Sequence, residues 1–377
     1  MITSQRHLFN IPDEVAYLNT AYMSPLLNSV VDAMENGVKL KSCPWKIKIE
    51  DFYHNTDKAR ELFSKIVNTK SENIAIISSA SYGIQTAANN LDVKKDQNII
   101  LLKDQFPSNV YPWIRLSEKS GCKIKFVELL GDVNPTETIL NFINEDSAVL
   151  SVPNVLWTNG LLIDLKILKK KCDEVGCALV LDLTQSAGAV DIDFSKLKPD
   201  FAVVANYKWM LGPYSTAFLY VSEKRFNGKP LEEGWITRSK SEKFSNLVSY
   251  TNKYKYGAIR FDMGERSNFA LLPGVIKAME QILEWGVKNI ESTLSNQNKT
   301  LRDKLRKIGM QINNDNIMGP HFISAILPHK KNVNFLKQLN EKNIFLSERG
   351  GSLRITPHLW NNNNDFDRLI FELKKIL

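Results

Sequence analysis

The chain alternates between short runs of apolar residues and longer segments in which apolar positions recur every three or four residues. A short, wholly apolar run is typical of a strand buried on both faces, and the longer period is typical of a helix. Predicted strands span 74–77, 98–102, 123–129, 148–152, 178–183, 201–205 and 216–221. Predicted helices between them span 82–91, 136–144 and 165–175. The pattern predicts an α/β fold built on a mostly parallel, seven-stranded sheet.

The pattern changes near Phe261. A long helical stretch covers 271–308 with a break near Gly286, and shorter elements follow: strands at 322–327 and 353–356, helices at 333–341 and 366–376. Residues 224–257 are rich in Lys, Ser, Asn and Gly, which predicts surface loops. We therefore expect a large domain, 15–257, and a smaller C-terminal α+β domain, 258–377. Residues 1–14 are expected to belong to the smaller domain.

Composition narrows the class of protein. The 377 residues are 43% hydrophobic and 24% charged, which is typical of a globular chain and excludes collagen-like or disordered types. The net charge of +8 raises the question of nucleic acid, but the basic residues are scattered. The densest cluster, 166–171, has acidic neighbours and is typical of a solvated helix face. We expect no nucleic-acid partner.

The four cysteines indicate which cellular compartment suits the protein and whether a metal site is expected. They form no C-x-x-C pair, and no histidine stands at metal-ligand spacing from them. Few, dispersed thiols are typical of a reducing compartment, so we expect a cytoplasmic protein without a metal site. The N-terminus has no apolar secretory core, and no apolar run approaches the roughly 18 residues that span a bilayer. We expect no membrane partner.

Three segments follow predicted strands, where α/β sheets bind ligands. Residues 78–83 (SSASYG) begin a helix with small hydroxyl residues, which suit either an N-cap or a phosphate site. Asp182 ends an apolar strand, either as an N-cap or as a fixed anion for a cationic ring. Lys208 stands between an apolar strand and an apolar turn, either extending to water or as a desolvated amine able to form a Schiff base.

Taken together, these three segments match the needs of pyridoxal phosphate (PLP). That cofactor requires a cradle for its phosphate, an acid opposite its pyridine nitrogen, and a lysine for its aldehyde. The three features occur in that order along the chain, which makes coincidence a poor explanation. The sequence therefore predicts PLP as cofactor.

With these motifs in view, the sequence resembles the class V aminotransferase family of fold-type I PLP-dependent enzymes. That group includes cysteine desulfurases, selenocysteine lyases, kynureninase and isopenicillin N epimerase. The resemblance extends from Y-L-N-T-A at residue 17 to the region of Asn361. Its most specific parts are D-x-x-Q-x-x-G, beginning at Asp182, and Y-K-W around Lys208. It implies an amino acid substrate and a homodimer.

The resemblance implies roles for single residues. Lys208 matches the lysine that forms the Schiff base and moves the Cα proton, and Asp182 matches the partner of the pyridine nitrogen. Gln185 and Asn154 match residues near the ring hydroxyl. Other matches are to the phosphate loop (Ala80, Ser81), the aromatic residue stacked on the ring (Phe106), the residue before the lysine (Tyr207) and the arginine that binds the substrate carboxylate (Arg354).

Several positions depart from the common pattern. Phe106 and Tyr207 stand where many members have histidine, and both resemble kynureninase, as does Gly234-Trp235. Glu265 stands where many members have a threonine that reaches the partner's phosphate, and Arg266 or Ser267 are the candidate substitutes.

The segment that carries a catalytic cysteine in desulfurases is 345–351 here, and it has none. A persulfide relay on the enzyme is therefore not expected.

Three functions remain open. We expect an aminotransferase or a cysteine-independent C–S lyase, because the core motif serves several reactions at Cα. The alternatives are a kynureninase-like hydrolase, which the aromatic matches favour, or an epimerase. A PLP-binding protein without catalysis is the third possibility.

Overall fold

A computed structural model describes residues 1–129, 134–326 and 334–377. Within these residues the helices are α1 Asn28–Lys41, α2 Asp51–Ile66, α3 Ala80–Asn89, α4 Tyr111–Ser120, α5 Pro135–Leu140, α6 Leu165–Val175, α7 Phe194–Leu197, α8 Leu272–Trp285, α9 Val287–Lys307, α10 Phe335–Glu341 and α11 Asn363–Ile376. The strands are β1 Ala16–Tyr17, β2 Ile74–Ile77, β3 Asn98–Leu102, β4 Lys123–Val127, β5 Ser147–Pro153, β6 Ala178–Asp182, β7 Phe201–Ala205, β8 Ala217–Val221, β9 Gln311–Ile312, β10 Ile323–Ile326, β11 Ile344–Phe345, β12 Ser347–Arg349 and β13 Ser352–Ile355.

The main sheet has seven strands in the order β2-β8-β7-β6-β5-β3-β4. Strand β8 is antiparallel to both of its neighbours, and the other pairs are parallel. The predicted α/β fold with a mostly parallel seven-stranded sheet is confirmed. Strands β2, β3, β5, β6 and β7 all end at one edge of the sheet, and β8 begins there.

Both faces of this sheet are covered, and the alternation of side chains assigns each residue to one face. Along β3, Ile99 and Leu101 pack with α3 and α4, whereas Ile100 and Leu102 pack on the other face with α2, α6 and α8. Burial on both faces explains why the strands are uninterrupted apolar runs. It also holds the strand ends, where the site lies, on a rigid support.

A buried ion cluster links α2 to the main sheet. The two Nη atoms of Arg60 donate to the two carboxylate oxygens of Asp262, at 2.8 and 2.7 Å, and Arg266 pairs with the same carboxylate. The backbone N–H of Ile76, in β2, also donates to Asp262. These bonds fix segment 262–267 against the sheet.

The smaller sheet has the order β12-β13-β10-β9, and its apolar face packs with α9, α10 and α11. The predicted helix break is confirmed, since α8 ends at Trp285, α9 begins at Val287, and Gly286 between them has φ +76°. Parts of two predicted elements, at 327 and 333, lie outside the described residues. Strand β1 pairs with β11, which joins the N-terminal segment to the C-terminal elements. The domain boundaries at 15, 257 and 258 remain a proposal.

Candidate active site

The edge at which the main strands end contains a cavity of about 210 Å³. Seven predicted site residues line it: Ala80, Ser81, Phe106, Asp182, Gln185, Tyr207 and Lys208. Trp157 and Tyr214 also line it and were not predicted. Asn154 and Arg354 are not among its lining residues, although Pro153, next to Asn154, is.

One wall of the cavity is the N-terminus of α3. Ser79 is its N-cap, with its Oγ accepting from the N–H of Tyr82 at 3.2 Å and lying 3.0 Å from the Oγ of Ser81. The N–H groups of Ala80 and Ser81 have no acceptor among the described residues. A Cβ on Gly83 would meet Val203 and lie 2.8 Å from Ile77, so glycine lets the helix approach the sheet closely. Free N–H groups at the positive end of a helix form an anion site.

Asp182 and Lys208 are both buried, each 7% exposed. The carboxylate of Asp182 accepts from the N–H of Thr184 at 3.1 Å. Burial raises the pKa of Asp182, while the Thr184 hydrogen bonds and the charge of Lys208 lower it. Burial lowers the pKa of Lys208 to about 8, with Asp182 opposing that shift. Near neutral pH the site thus holds an amine whose uncharged fraction is much larger than that of an ordinary lysine.

Aromatic rings surround the amine of Lys208. Its Nζ lies 5.6 Å from the centre of the Phe106 ring and 5.3 Å from that of Tyr207. Phe106 packs edge-to-face with Trp157, with ring centres 5.5 Å apart, and Tyr207 packs against Tyr214 at 4.6 Å. These rings restrict water around the amine and give a planar ligand an apolar surface.

The side chain of Gln185 is held by the protein itself. Its Nε2 donates to the carbonyl of Ala21, and its Oε1 accepts from the indole of Trp209, both at 3.0 Å. One N–H of the amide is left for a ligand. His321 donates from Nε2 to the backbone carbonyl of Gln185 at 2.6 Å. Burial lowers the pKa of His321 to about 4, so the ring is neutral. This histidine was not predicted, and its hydrogen bond holds the backbone of Gln185 in place.

Asn154 donates through Nδ2 to the carbonyl of Ile163, and its buried Oδ1 has no donor among the described residues. An amide oxygen left in this state calls for a ligand that donates a hydrogen bond. Sequence reasoning placed Asn154 here through the resemblance alone.

Arg354, in β13, is buried and is hydrogen-bonded to Trp157, a residue that lines the cavity. Its Nε donates to the Oγ of Ser347 at 3.0 Å, and its Nη1 donates to the carbonyl of Trp157 at 2.8 Å. Ser347 donates in turn to Oδ1 of Asn19 at 2.9 Å. Nη2 has no acceptor among the described residues, which leaves part of the guanidinium for a carboxylate. Ser347 and Asn19 were not predicted.

The two candidate substitutes near Glu265 are held within their own chain. Arg266 is bound to Asp262, as described above, and the Oγ of Ser267 donates to the carbonyl of Phe52 at 2.6 Å. Glu265 itself has φ +55°. Neither substitute side chain is free to reach another subunit in this conformation.

No thiol lines the cavity. Cys43 is half-buried, and Cys122, Cys172 and Cys177 are buried elsewhere. Over the part of the chain that the structure describes, no group of histidine, cysteine and acidic residues could hold a metal ion. No described helix is both long enough and apolar enough to cross a membrane.

Comparison with known proteins identifies the family of this chain. The profile of the Aminotransferase class-V family matches residues 17–358. The chain belongs to this family. Class V enzymes depend on PLP, and the predictions of family, enzymatic function and cofactor are confirmed.

Class V relatives differ in their reactions. A probable cysteine desulfurase from Methanothermobacter thermautotrophicus is 24% identical to this chain, over 85% of this chain and 83% of that protein. A kynureninase from Geobacillus thermodenitrificans is also 24% identical, over 88% and 80%. The solved structure of the cystine C–S lyase C-DES in complex with its reaction product, cysteine persulfide, has a TM-score of 0.88 at 16% identity, over 96% of this chain and 98% of that chain. That structure shares the fold.

The residues around the cavity fit PLP. Free N–H groups at α3 suit its phosphate, and buried Asp182 suits its pyridinium. Lys208 offers an amine that is partly neutral. The family's cofactor and the donor set of this chain therefore agree.

The lowered pKa of Lys208 predicts how PLP-free protein takes up the cofactor. The neutral amine attacks an aldehyde, so we expect the uptake rate to rise with pH and to level off above about 8. The measurement is stopped-flow visible absorption after mixing with PLP across this pH range. A rate that keeps rising toward the ordinary lysine value of 10.5 would contradict the assignment.

Proposed function

We propose that this chain is a PLP-dependent C–S lyase that cleaves the Cβ–S bond of a sulfur-containing amino acid without a catalytic cysteine. The observation that carries the proposal is the buried pair of Lys208 and Asp182 in a cavity that no thiol lines. Relatives named cysteine desulfurase and the fold shared with a cystine C–S lyase support C–S cleavage. The missing thiol favours direct release of the sulfur product.

Each predicted site residue has a place in this proposal. Lys208 would hold the aldehyde end of PLP, and Asp182 would hold its pyridine nitrogen in the protonated state. Phe106 would face the ring, and Arg354 would bind the substrate α-carboxylate through Nη2, which has no acceptor among the described residues. The remaining contacts to the phosphate and the ring hydroxyl come from Ala80, Ser81, Tyr207, Asn154 and Gln185.

PLP, when bound, supplies an electron sink for negative charge at Cα. Lys208 Nζ takes the Cα proton, which its partly neutral state allows. The electrons of the Cα–H bond form a Cα–Cβ double bond, and those of the Cβ–S bond leave with sulfur, which takes up the proton. The products are a thiol and 2-aminoprop-2-enoate, which water converts to pyruvate and ammonium. Arg354 holds the carboxylate throughout.

The test uses the PLP-loaded protein with a panel of sulfur amino acids, their non-sulfur analogues and kynurenine. We expect pyruvate, ammonium and a thiol or persulfide in equal amounts, with no amino-group acceptor required. A keto acid that retains its side chain and needs an acceptor would instead establish an aminotransferase. Racemised substrate would establish an epimerase. The absence of any product or spectral response would overturn the enzyme proposal in favour of a non-catalytic PLP-binding protein.

The aromatic lining supports one second candidate, a kynureninase-like hydrolase. Phe106, Trp157, Tyr207 and Tyr214 give the cavity apolar, aromatic walls that suit an aryl ketone side chain. Relatives named kynureninase match 88% of this chain or more. Release of anthranilate from kynurenine would select this candidate, and its absence would remove it.

Two further proposals concern the protein as a whole. We propose a homodimer, supported by exposed apolar side chains in the N-terminal segment: Tyr22, Val31, Val38 and Trp45. Sedimentation analysis of the purified protein tests it. We also propose a cytoplasmic location, supported by four free thiols, which are typical of a reducing compartment.

A further inference from the structure

The arginine hairpin, residues 347–355, presents two arginines on one face. It consists of β12 and β13, joined by Gly350 and Gly351 with φ +57° and +79°. Two consecutive residues with positive φ make a tight turn that keeps the strand register fixed. Ser347 lies opposite Arg354, and Arg349 lies opposite Ser352. Residues opposite each other in an antiparallel pair share a face, so both arginines lie on the same one.

The two faces of the hairpin have opposite characters. Leu353 and Ile355 pack into the core formed with α9 and α11. The face with Arg349 and Arg354 is turned the other way, toward the cavity, where Arg354 donates to the carbonyl of Trp157. Arg349 is a diagonal neighbour of Arg354, at roughly 7–8 Å between Cβ atoms, which long side chains can bridge.

These two arginines have no carboxylate partner among the described residues. Arg349 donates to the carbonyl of Glu348 at 2.7 Å, and Arg354 donates to a hydroxyl and a carbonyl. Arg354 is buried and Arg349 is half-buried. The other buried arginines each have an aspartate carboxylate within 4 Å, namely Arg60, Arg266 and Arg302. The guanidinium of Arg354 is buried without a counter-charge, which is costly, so this face of the hairpin suits an anion from outside.

The charge of Arg349 acts on the two residues proposed to hold the substrate's reacting end. Burial lowers the pKa of Arg354 to about 10, and the charge of Arg349 adds to this lowering. The charge of Arg349 also lowers the pKa of Lys208, after burial and together with Arg354. The charges of Arg349 and Arg354 therefore both act on Lys208, and the charge of Asp182 opposes them.

We propose that Arg349 binds a second acidic group, on the substrate's side chain, while Arg354 binds the α-carboxylate. The substrate class is then an amino acid with a distal carboxylate or sulfur oxyacid beyond the bond that breaks. The amino acid part of this statement rests on the proposed function. The paired anion site itself does not, because a simple dicarboxylate without an amino group can occupy it.

Calorimetric titration of the PLP-loaded protein with succinate and with butyrate tests the anion site directly. These ligands have the same chain length and differ by one carboxylate. We expect succinate to bind at least about tenfold more tightly, because its second carboxylate forms a hydrogen-bonded ion pair with Arg349. Arg349→Met is expected to remove this preference, because it weakens the binding of succinate about tenfold more than the binding of butyrate. Arg349→Lys should retain part of the preference for succinate. Arg354→Met should weaken the binding of both ligands.

A matched pair of substrates extends the test to catalysis. S-carboxymethyl-cysteine and its amide, S-carbamoylmethyl-cysteine, differ in one charge beyond the scissile bond. We expect Arg349→Met to lower kcat/KM about tenfold more for the acid than for the amide. Equal binding of succinate and butyrate by the wild type, or a preference that survives Arg349→Met, would overturn the proposal. If succinate is preferred but neither cysteine derivative is cleaved, the anion site stands and the proposed function fails.

Discussion

Replacing Lys208 with alanine is expected to lower turnover by roughly 10⁴-fold, which is at the upper end for a residue that transfers a proton. The effect is large because one amine serves two purposes in the proposal, as the attachment point of PLP and as the base at Cα. Its burial and its pKa of about 8 suit both. Single-turnover formation of pyruvate from the best substrate of the panel measures the loss. The visible band of PLP bound through the amine should also disappear.

The matched control for this variant is Lys299→Ala, an exposed position on α9 away from the cavity. It should keep wild-type turnover and the wild-type spectrum. A primary amine small enough to enter the space left by the lysine side chain, such as methylamine, should restore part of the activity of Lys208→Ala. The assignment fails if Lys208→Ala stays within tenfold of the wild type while it binds PLP.

The strands of the main sheet were predictable because burial on both faces leaves little room for polar residues. The predicted bounds of β2, β3 and β7 agree with the structure at both ends. The strands β1 and β11 have two residues each, which is too short for any periodicity to show. Helix α2 was not predicted because it buries Arg60, and the counter-charge on Asp262 comes from a distant part of the sequence.

Predictability within the site differs from residue to residue for a similar reason. Asp182 and Lys208 were visible because a charged residue next to an apolar strand is an exception that needs a cause. Trp157, Tyr214 and Arg349 belong to loops and to a hairpin whose position depends on how the two sheets meet, and no local pattern records that. The resemblance indicated Gln185, but the partners of its amide, Ala21 and Trp209, required the structure.

Changing Asp182 to asparagine is expected to lower turnover by roughly 10³-fold while leaving the fold intact. Asparagine has the same shape and can still accept from the N–H of Thr184, but it has no charge to keep a pyridine nitrogen protonated. Burial already raises the pKa of Asp182, so a neutral side chain costs the folded state nothing in desolvation. Turnover and the thermal midpoint should therefore change independently.

The same substitution has a second readout that does not depend on turnover. The charge of Asp182 raises the pKa of Lys208 against the effect of burial, so its removal should lower that pKa below the wild-type value of about 8. In the PLP-uptake experiment the plateau should then begin at lower pH. An unchanged uptake profile, or a shift to higher pH, would show that Asp182 does not act on Lys208.

Asp200 offers the matched control, because it is also a buried aspartate. It directly precedes β7, whereas Lys208 and the cavity lie beyond the other end of that strand. It accepts from the N–H of Leu179 at 3.1 Å and pairs with Lys224 at 2.9 Å and Arg225 at 2.8 Å. Asp200→Asn should cost stability, by roughly 1–3 kcal/mol, because those donors lose a charged acceptor, and it should leave turnover unchanged. If both variants lost stability and activity in parallel, Asp182 would be a structural carboxylate like Asp200, and its assigned role toward the cofactor would be wrong.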